Sequence, residues 1–247
     1  KSEFRIMACL NYTLREYCDN NGNSSIDKYH LYRLLDESLR FSNEEALYES
    51  AISKMLVDED IFVTSENRYA LSMLYFAEKR ILDFFARRKD EKNRKIIATF
   101  DEYLIKKQQT LGFELSTEQK KAVELINNGD KTLFLIGYAG TGKSTSSRAI
   151  LELLEETMSY DDIMTIALSG IASQRISDTT GYNSSTIQSL LMKHKEKDFF
   201  PYKAILLDEA SMVNSVTFYQ IISKIDDDTI FIIVGDDGQL PAIGAGN

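Results

Sequence analysis

Cysteine is scarce in this 247-residue chain: Cys9 and Cys18 are the only two, and their spacing suits no metal site. That argues against a disulfide framework or a zinc centre, and two reduced, half-buried thiols are expected. Proline is as rare, with only Pro201 and Pro241, so Gly, Asn and Asp must end the helices. Long apolar runs are lacking too: 230–234 is only strand-length, and the N-terminus has no charged-then-apolar signal pattern. Neither membrane nor export is therefore expected, and the cytoplasm is the default location. Positive charge is in deficit, 29 Lys and Arg against 38 Asp and Glu for a net −9, whereas nucleic-acid binders usually show a basic face. A motor that releases its track at every step can still bind through a narrow local groove, which bulk charge does not report. What the chain does have is apolar content, 43%, enough for one large or two modest domains, with no internal repeat.

Residues 2–19 place Phe4, Met7, Leu10, Leu14 and Tyr17 on one helical stripe, which the DNNGNSS run at 19–25 stops. A second helix carries Tyr29, Tyr32, Leu35 and Leu39. Ser42 with Glu45 forms a capping box that opens a third helix through about Leu56. The stretch 61–71 then reads as two short strands around a turn at 65–68. Three helices and a hairpin predict a winged-helix-like N-terminal domain over 1–72. The third helix of such a module often enters the major groove, but here Glu44, Glu45 and Glu49 oppose Lys54 alone, and Asp58, Glu59 and Asp60 follow. A structural or partner-docking role is expected over DNA reading. A helical linker is predicted over 73–111, increasingly basic through Arg87, Arg88, Lys89, Lys92, Arg94, Lys95, Lys106 and Lys107. Those charges are either a solvated face or a contact to a phosphate backbone.

A P-loop ATPase domain is expected over 112–247. Its centre is 132–145, TLFLIGYAGTGKST, an apolar run that reads as a buried strand, a glycine-rich turn, and a helix with Ala149, Ile150, Leu153 and Leu154 on one face. Gly137, Gly142, Lys143 and Ser144 satisfy G-x-x-x-x-G-K-[ST]. Such glycines let successive N–H groups point at phosphate oxygens, with the positive end of the helix behind them. Nucleotide contacts are expected from Gly137, Ala139, Gly140, Thr141, Gly142, Lys143, Ser144 and Thr145, and Ser144 would hold Mg²⁺. Upstream, Ser116 and Gln119 form a capping box, and the Gln119 amide could also grip the edge of adenine.

Further along come a strand at 164–168, a helix from about Ile171, a loop at 178–185, and AILLDEASM at 204–212. The last is an apolar strand ending in two carboxylates. Side-chain alternation at its tip would aim Asp208 at Mg²⁺ and Glu209 at an attacking water. Another buried strand near 230–234 leads to Gly235, Asp236, Gln239 and Pro241, and an amide such as Gln239 can bond both phosphate and water. Four apolar strands alternating with helices predict a parallel sheet with ligands at the strands' carboxyl ends.

These residues resemble the RecD-like DNA helicases of superfamily 1, the group that includes the RecD subunit of exodeoxyribonuclease V. GYAGTGKST is similar to motif I, ALSGIASQRI to motif Ia, NSSTIQSLL to the next DNA-contact motif, LLDEASM to motif II and VGDDGQLPAIGAGN to motif III. The resemblance covers about 115–247 strongly and the N-terminal region loosely. It implies a RecA-like α/β fold with helices on both faces of the sheet, ATP and Mg²⁺ as cofactors, and 5′ to 3′ translocation on single-stranded DNA in recombination and repair. Lys143, Glu209 and Gln239 would be catalytic, Ser144 and Asp208 metal-binding, and Ser169, Gly170, Thr186 and Gln188 would touch the strand. The family usually has a proline and a basic residue where this chain has Leu168 and Ile171, and a histidine where it has Gln188. Members also continue into a second RecA-like domain whose arginine completes the ATP site. The stretch is therefore expected to bind ATP but to hydrolyse it slowly by itself. Other subunits of a helicase–nuclease complex are further candidate partners. The alternatives left open are a P-loop ATPase that acts on something other than DNA and an ATP-switched partner-docking module.

Overall fold

The computed structural model describes residues 2–41, 44–112, 114–138, 140–236 and 238. They divide into two compact units: the chain up to Asp83 with Val213–Tyr219, and Phe84–Met212 with the described residues from Gln220 onward.

In the first unit, α1 (Glu3–Asn21) buries Ile6, Leu10, Leu14 and Cys18, one residue per turn. It ends at Gly22, whose φ of 68° is left-handed and free of Cβ strain. After β1 (Ile26–Asp27), α2 (Lys28–Leu39) starts under a cap in which the Asp27 carboxylate accepts the His30 N–H at 3.0 Å. α3 (Glu45–Val57) follows, and its expected capping partner Ser42 lies outside the described residues. β2 (Ile61–Val63) and β3 (Arg68–Leu71) form the predicted hairpin, and β1 adds a third antiparallel strand in the order β1-β3-β2, with Ile26 opposite Tyr69. Two residues carry too little periodicity to announce that strand. Leu31, Leu35, Tyr48, Ile52, Met55 and Ile61 close the core over the α1 stripe. Each fully buried aliphatic side chain contributes ~1.5–3 kcal/mol.

The helical linker predicted over 73–111 is two helices, α4 (Ser72–Arg88) and α5 (Phe100–Leu111). Between them the chain is tied to the end of α6 (Thr117–Asn127). Asn93 N–H donates to the Gly129 carbonyl at 2.7 Å, and the Asn127 side chain both accepts from Ile97 N–H and donates to its carbonyl. A helix through 89–99 would forfeit those bonds. The division between the two compact units falls inside α4, and Arg88 ties the end of that helix into the second unit. It is 2% exposed, and its guanidinium donates to the carbonyls of Lys131, Asp226, Asp227 and Thr229 and to the Thr132 hydroxyl. Burial pushes its pKa down, and the nearby charges of Asp227 and Glu91 act against that shift.

The second unit continues with β4 (Thr132–Ile136), α7 (Lys143–Leu154), β5 (Ile163–Ala167), α8 (Gly170–Thr180), β6 (Ser184–Thr186), α9 (Ile187–Lys193), β7 (Ala204–Leu207), α10 (Ser215–Ile222), which crosses into the first unit, and β8 (Ile230–Gly235). The five strands are all parallel in the order β4-β8-β7-β5-β6. Leu206, Ile232 and Val234 pack with Val123, Ile126, Ile150 and Leu154. Ile205, Leu207, Phe231 and Ile233, which alternate onto the other face, are buried as well.

β4 and the stretch 178–185 depart from the buried strand and the loop expected of them. β4 is not buried throughout: it ends the strand order, and Phe134 and Ile136 are 50% and 66% exposed. The predicted loop at 178–185 begins with the last turn of α8 and ends in β6, a fifth strand whose Ser-Ser-Thr sequence lacks the apolar signature of its neighbours. Every βα connection of this sheet leaves from the strands' carboxyl ends, so the residues singled out in sequence converge on one edge.

Candidate active site

The turn from β4 into α7 is shaped by glycine. Gly140 and Gly142 hold φ of 82° and 84°, and a Cβ on Gly142 would lie 2.3 Å from Gln119 Nε2. Gln119 reaches this turn from α6. Its Oε1 accepts the Ser116 N–H at 2.8 Å, its own N–H donates to Ser116 Oγ at 3.3 Å, and its Nε2 donates to the Gly142 carbonyl at 3.2 Å. The capping box is therefore formed, and the same amide steadies the glycine turn.

Lys143 opens α7. Its ammonium donates to the carbonyls of Gly137 and Tyr138 and lies 3.4 Å from Asp236 Oδ2. Asp236 is 6% exposed, and its Oδ1 accepts the Gly238 N–H at 3.0 Å. A buried carboxylate next to Lys143 is what the sequence pattern did not assign, although Asp236 stands in plain view after an apolar strand. The Thr141 hydroxyl donates to the Tyr138 carbonyl, Ser144 is exposed and Thr145 is half-buried. Ala139 and Gln239 lie outside the described residues.

Facing this turn, β7 delivers Asp208 and Glu209. In a straight strand, neighbours would alternate onto opposite faces. Glu209 instead takes φ of 54°, the left-handed region that costs a non-glycine residue ~1–3 kcal/mol, and both carboxylates line one cleft. Desolvation raises the pKa of Asp208, the Glu209 N–H and Arg175 pulling against it and the charge of Glu209 adding to it. Arg175, from α8, supplies the positive charge between the two: its Nη2 is 2.6 Å from Glu209 Oε1 and 3.6 Å from Asp208 Oδ2. Sequence reasoning missed Arg175. The only available signal was helical register, because Ile171, Arg175 and Thr179 share the exposed face of α8.

The resulting cleft is about 360 Å³. Gly140, Gly142, Lys143 and Ser144 form one side, Arg175, Asp208 and Glu209 another, with Val234, Gly235 and Asp236 from the end of β8. The donor set fits a nucleoside triphosphate with a divalent cation: backbone N–H groups and an ammonium suit phosphate, and a hydroxyl and a carboxylate suit Mg²⁺. Among the described residues no group of three acidic, His or Cys side chains is placed to hold a metal, so phosphate and water would complete the coordination of such an ion.

The four residues expected to touch a nucleic-acid strand divide differently. Ser169 and Thr186 are N-caps, their hydroxyls accepting from Ala172 N–H and Ser189 N–H at 3.1 Å each. Gly170 and Gln188 are exposed at the starts of α8 and α9. Ser169, Gly170 and Gln188 lie just beyond the carboxyl ends of β5 and β6, Thr186 is the last residue of β6, and beside them Leu168 and Ile171 are 41% and 87% exposed. Among the described residues no helix is long and apolar enough to cross a membrane.

A family model described as an AAA domain matches residues 114–247. The ATP-dependent RecD2 DNA helicase of Deinococcus radiodurans is 26% identical over 233 residues, 88% of this chain and 31% of that protein. The RecBCD enzyme subunit RecD of Mycolicibacterium smegmatis is 27% identical over 165 residues, 55% of this chain and 29% of that one. A solved structure of two coordinating Pif1 helicases at forked dsDNA aligns at 21% identity over 52% of this chain and 35% of its own, with a TM-score of 0.42. The chain spans about a third of the length of the two curated relatives.

Proposed function

The chain belongs to the AAA-domain family and to the RecD-like superfamily 1 helicases, and from that premise we propose that it is part of a motor that couples ATP hydrolysis to 5′ to 3′ movement along single-stranded DNA, serving recombination and repair in the cytoplasm. The observation that carries this reading is the cleft itself, where Lys143 and Ser144 face Asp208 and Glu209 at the carboxyl edge of a parallel sheet.

The roles follow from charge and position. The N–H groups of 137–145 cradle the phosphates and the Lys143 ammonium neutralises the β and γ oxygens, releasing Asp236 to do so. Ser144 and Asp208 would hold Mg²⁺, which would supply neutralisation of phosphate charge. Glu209 accepts a proton from water as the water oxygen forms its bond to the γ-phosphorus. The bond to the β,γ-bridging oxygen breaks, and ADP leaves with that electron pair. Gln119 stands beside the cradle and Gln239 is assigned to sensing the γ-phosphate. Ser169, Gly170, Thr186 and Gln188 contact the strand, and 1–72 is read as a winged-helix-like partner-docking domain.

A second RecA-like domain and other subunits of a helicase–nuclease complex are the proposed protein partners. Because an arginine supplied from outside such a site contributes about 10³–10⁵ in rate, the stretch by itself should bind ATP and turn it over slowly. Exposed Leu168 and Ile171, where a proline and a basic residue are usual, favour a second reading in which the ATPase drives something other than DNA. Titrating a labelled single-stranded oligonucleotide with and without a non-hydrolysable ATP analogue separates the two. Salt-sensitive binding that changes with nucleotide supports the motor, and nucleotide binding without any strand binding supports the alternative.

A further inference from the structure

The reaction outlined above leaves one charged group in the cleft without a role. Arg175 stands in the second turn of α8 with its side chain 60% exposed, and it puts a single nitrogen 2.6 Å from Glu209 and 3.6 Å from Asp208. Two adjacent carboxylates at the end of one strand repel each other, and a shared cation offsets that repulsion. The carboxylate pair is also where a nucleotide-bound dication would have to seat through Asp208. A dication on Asp208 would be repelled by the guanidinium 3.6 Å from Oδ2, whereas Glu209 has no such competitor and is the closer partner already.

We infer that Arg175 is a positioning residue of the ATP site, holding the Glu209 carboxylate toward the attacking water while yielding Asp208 to the divalent cation that enters with nucleotide. The inference rests on the ATPase reading and adds to it a residue and a direction of exchange. The exposed side chain needs only rotamer changes to let go of one oxygen and keep the other.

The test measures the Mg²⁺ concentration at which a fluorescent, non-hydrolysable ATP analogue is half-retained by the 247-residue chain and by Arg175→Ala and Arg175→Lys. Loss of a competing exposed cation lowers that concentration about two- to fivefold in Arg175→Ala. Arg175→Lys, which restores a cation without the planar fork, moves it back toward the parent value. In single-turnover hydrolysis Arg175→Ala slows the chemical step about tenfold or more at saturating Mg²⁺, since the base is no longer held. An unchanged or raised Mg²⁺ midpoint in Arg175→Ala, or an Arg175→Lys variant indistinguishable from it, overturns the inference while leaving the ATPase reading in place. Failure of the parent chain to retain the analogue at any Mg²⁺ concentration overturns both.

Discussion

Replacing Arg88 with methionine keeps an unbranched apolar stem beside Phe84 but removes five hydrogen bonds from the interior of the second unit. Two of the acceptors keep a partner: the Lys131 carbonyl still receives Phe231 N–H and the Asp226 carbonyl still receives Thr229 N–H. The Thr132 hydroxyl can rotate toward another group. The loss therefore concentrates on the carbonyls of Asp227 and Thr229, the second belonging to a buried residue. An orphaned buried acceptor costs ~1–3 kcal/mol, and relief from burying the guanidinium offsets part of the total, which leaves about 3 kcal/mol of destabilisation. For a chain of this size that lowers Tm by roughly 6–12 °C. Urea unfolding followed by circular dichroism reads it directly as a lower midpoint at unchanged slope. A loss below about 1 kcal/mol would show that the bond network is not what anchors the end of α4.

Gly142→Ala forces a Cβ into a left-handed residue 2.3 Å from Gln119 Nε2, and it is expected to weaken nucleotide retention with a stability loss of ~1–2 kcal/mol, checked by analogue titration beside a melt. Gln119→Ala should weaken ATP and GTP analogues equally, because the amide holds the Gly142 carbonyl; selective loss of the adenine nucleotide would instead mean that it grips the base. Burial pushes the Cys18 thiol up to about 11 from its ordinary 9.0. A raised folded pKa adds stability that is intact below 9.0 and lost as pH climbs to about 11, so Cys18→Ala should flatten the alkaline limb of the stability curve over that window. Ile171→Lys places a cation beside the proposed strand contacts and should steepen the slope of log affinity against log salt by about 0.7 for a single strand. An unchanged slope would put the strand elsewhere.

How much could be read from the chain alone varied with how local the cause was. The β4 to α7 passage, the Ser116 cap and the carboxylates ending β7 are set by neighbours in sequence, and each was legible in turn chemistry or an apolar run. β6 was not, because three hydroxyl residues become a strand only through pairing with β5. The break at 89–99 depends on Asn127 and Gly129, some thirty residues away. The exposure of Phe134 and Ile136 follows from strand order, which composition does not encode. Both carboxylates share a cleft only because Glu209 is left-handed, and Arg175 reaches them from α8, which packs on β5, the strand paired with β7.

The central claim is that Lys143 and Ser144 on one side and Asp208 and Glu209 on the other make one ATP site. Equilibrium titration of a fluorescent ATP analogue with Mg²⁺ into the parent chain and Lys143→Ala, with a melt to show that the variant is folded, tests it most directly. Saturable binding to the parent at one site, weakened about tenfold or more in the variant, is the predicted result. Equal affinity in the two, or no saturable binding to the parent, would contradict it.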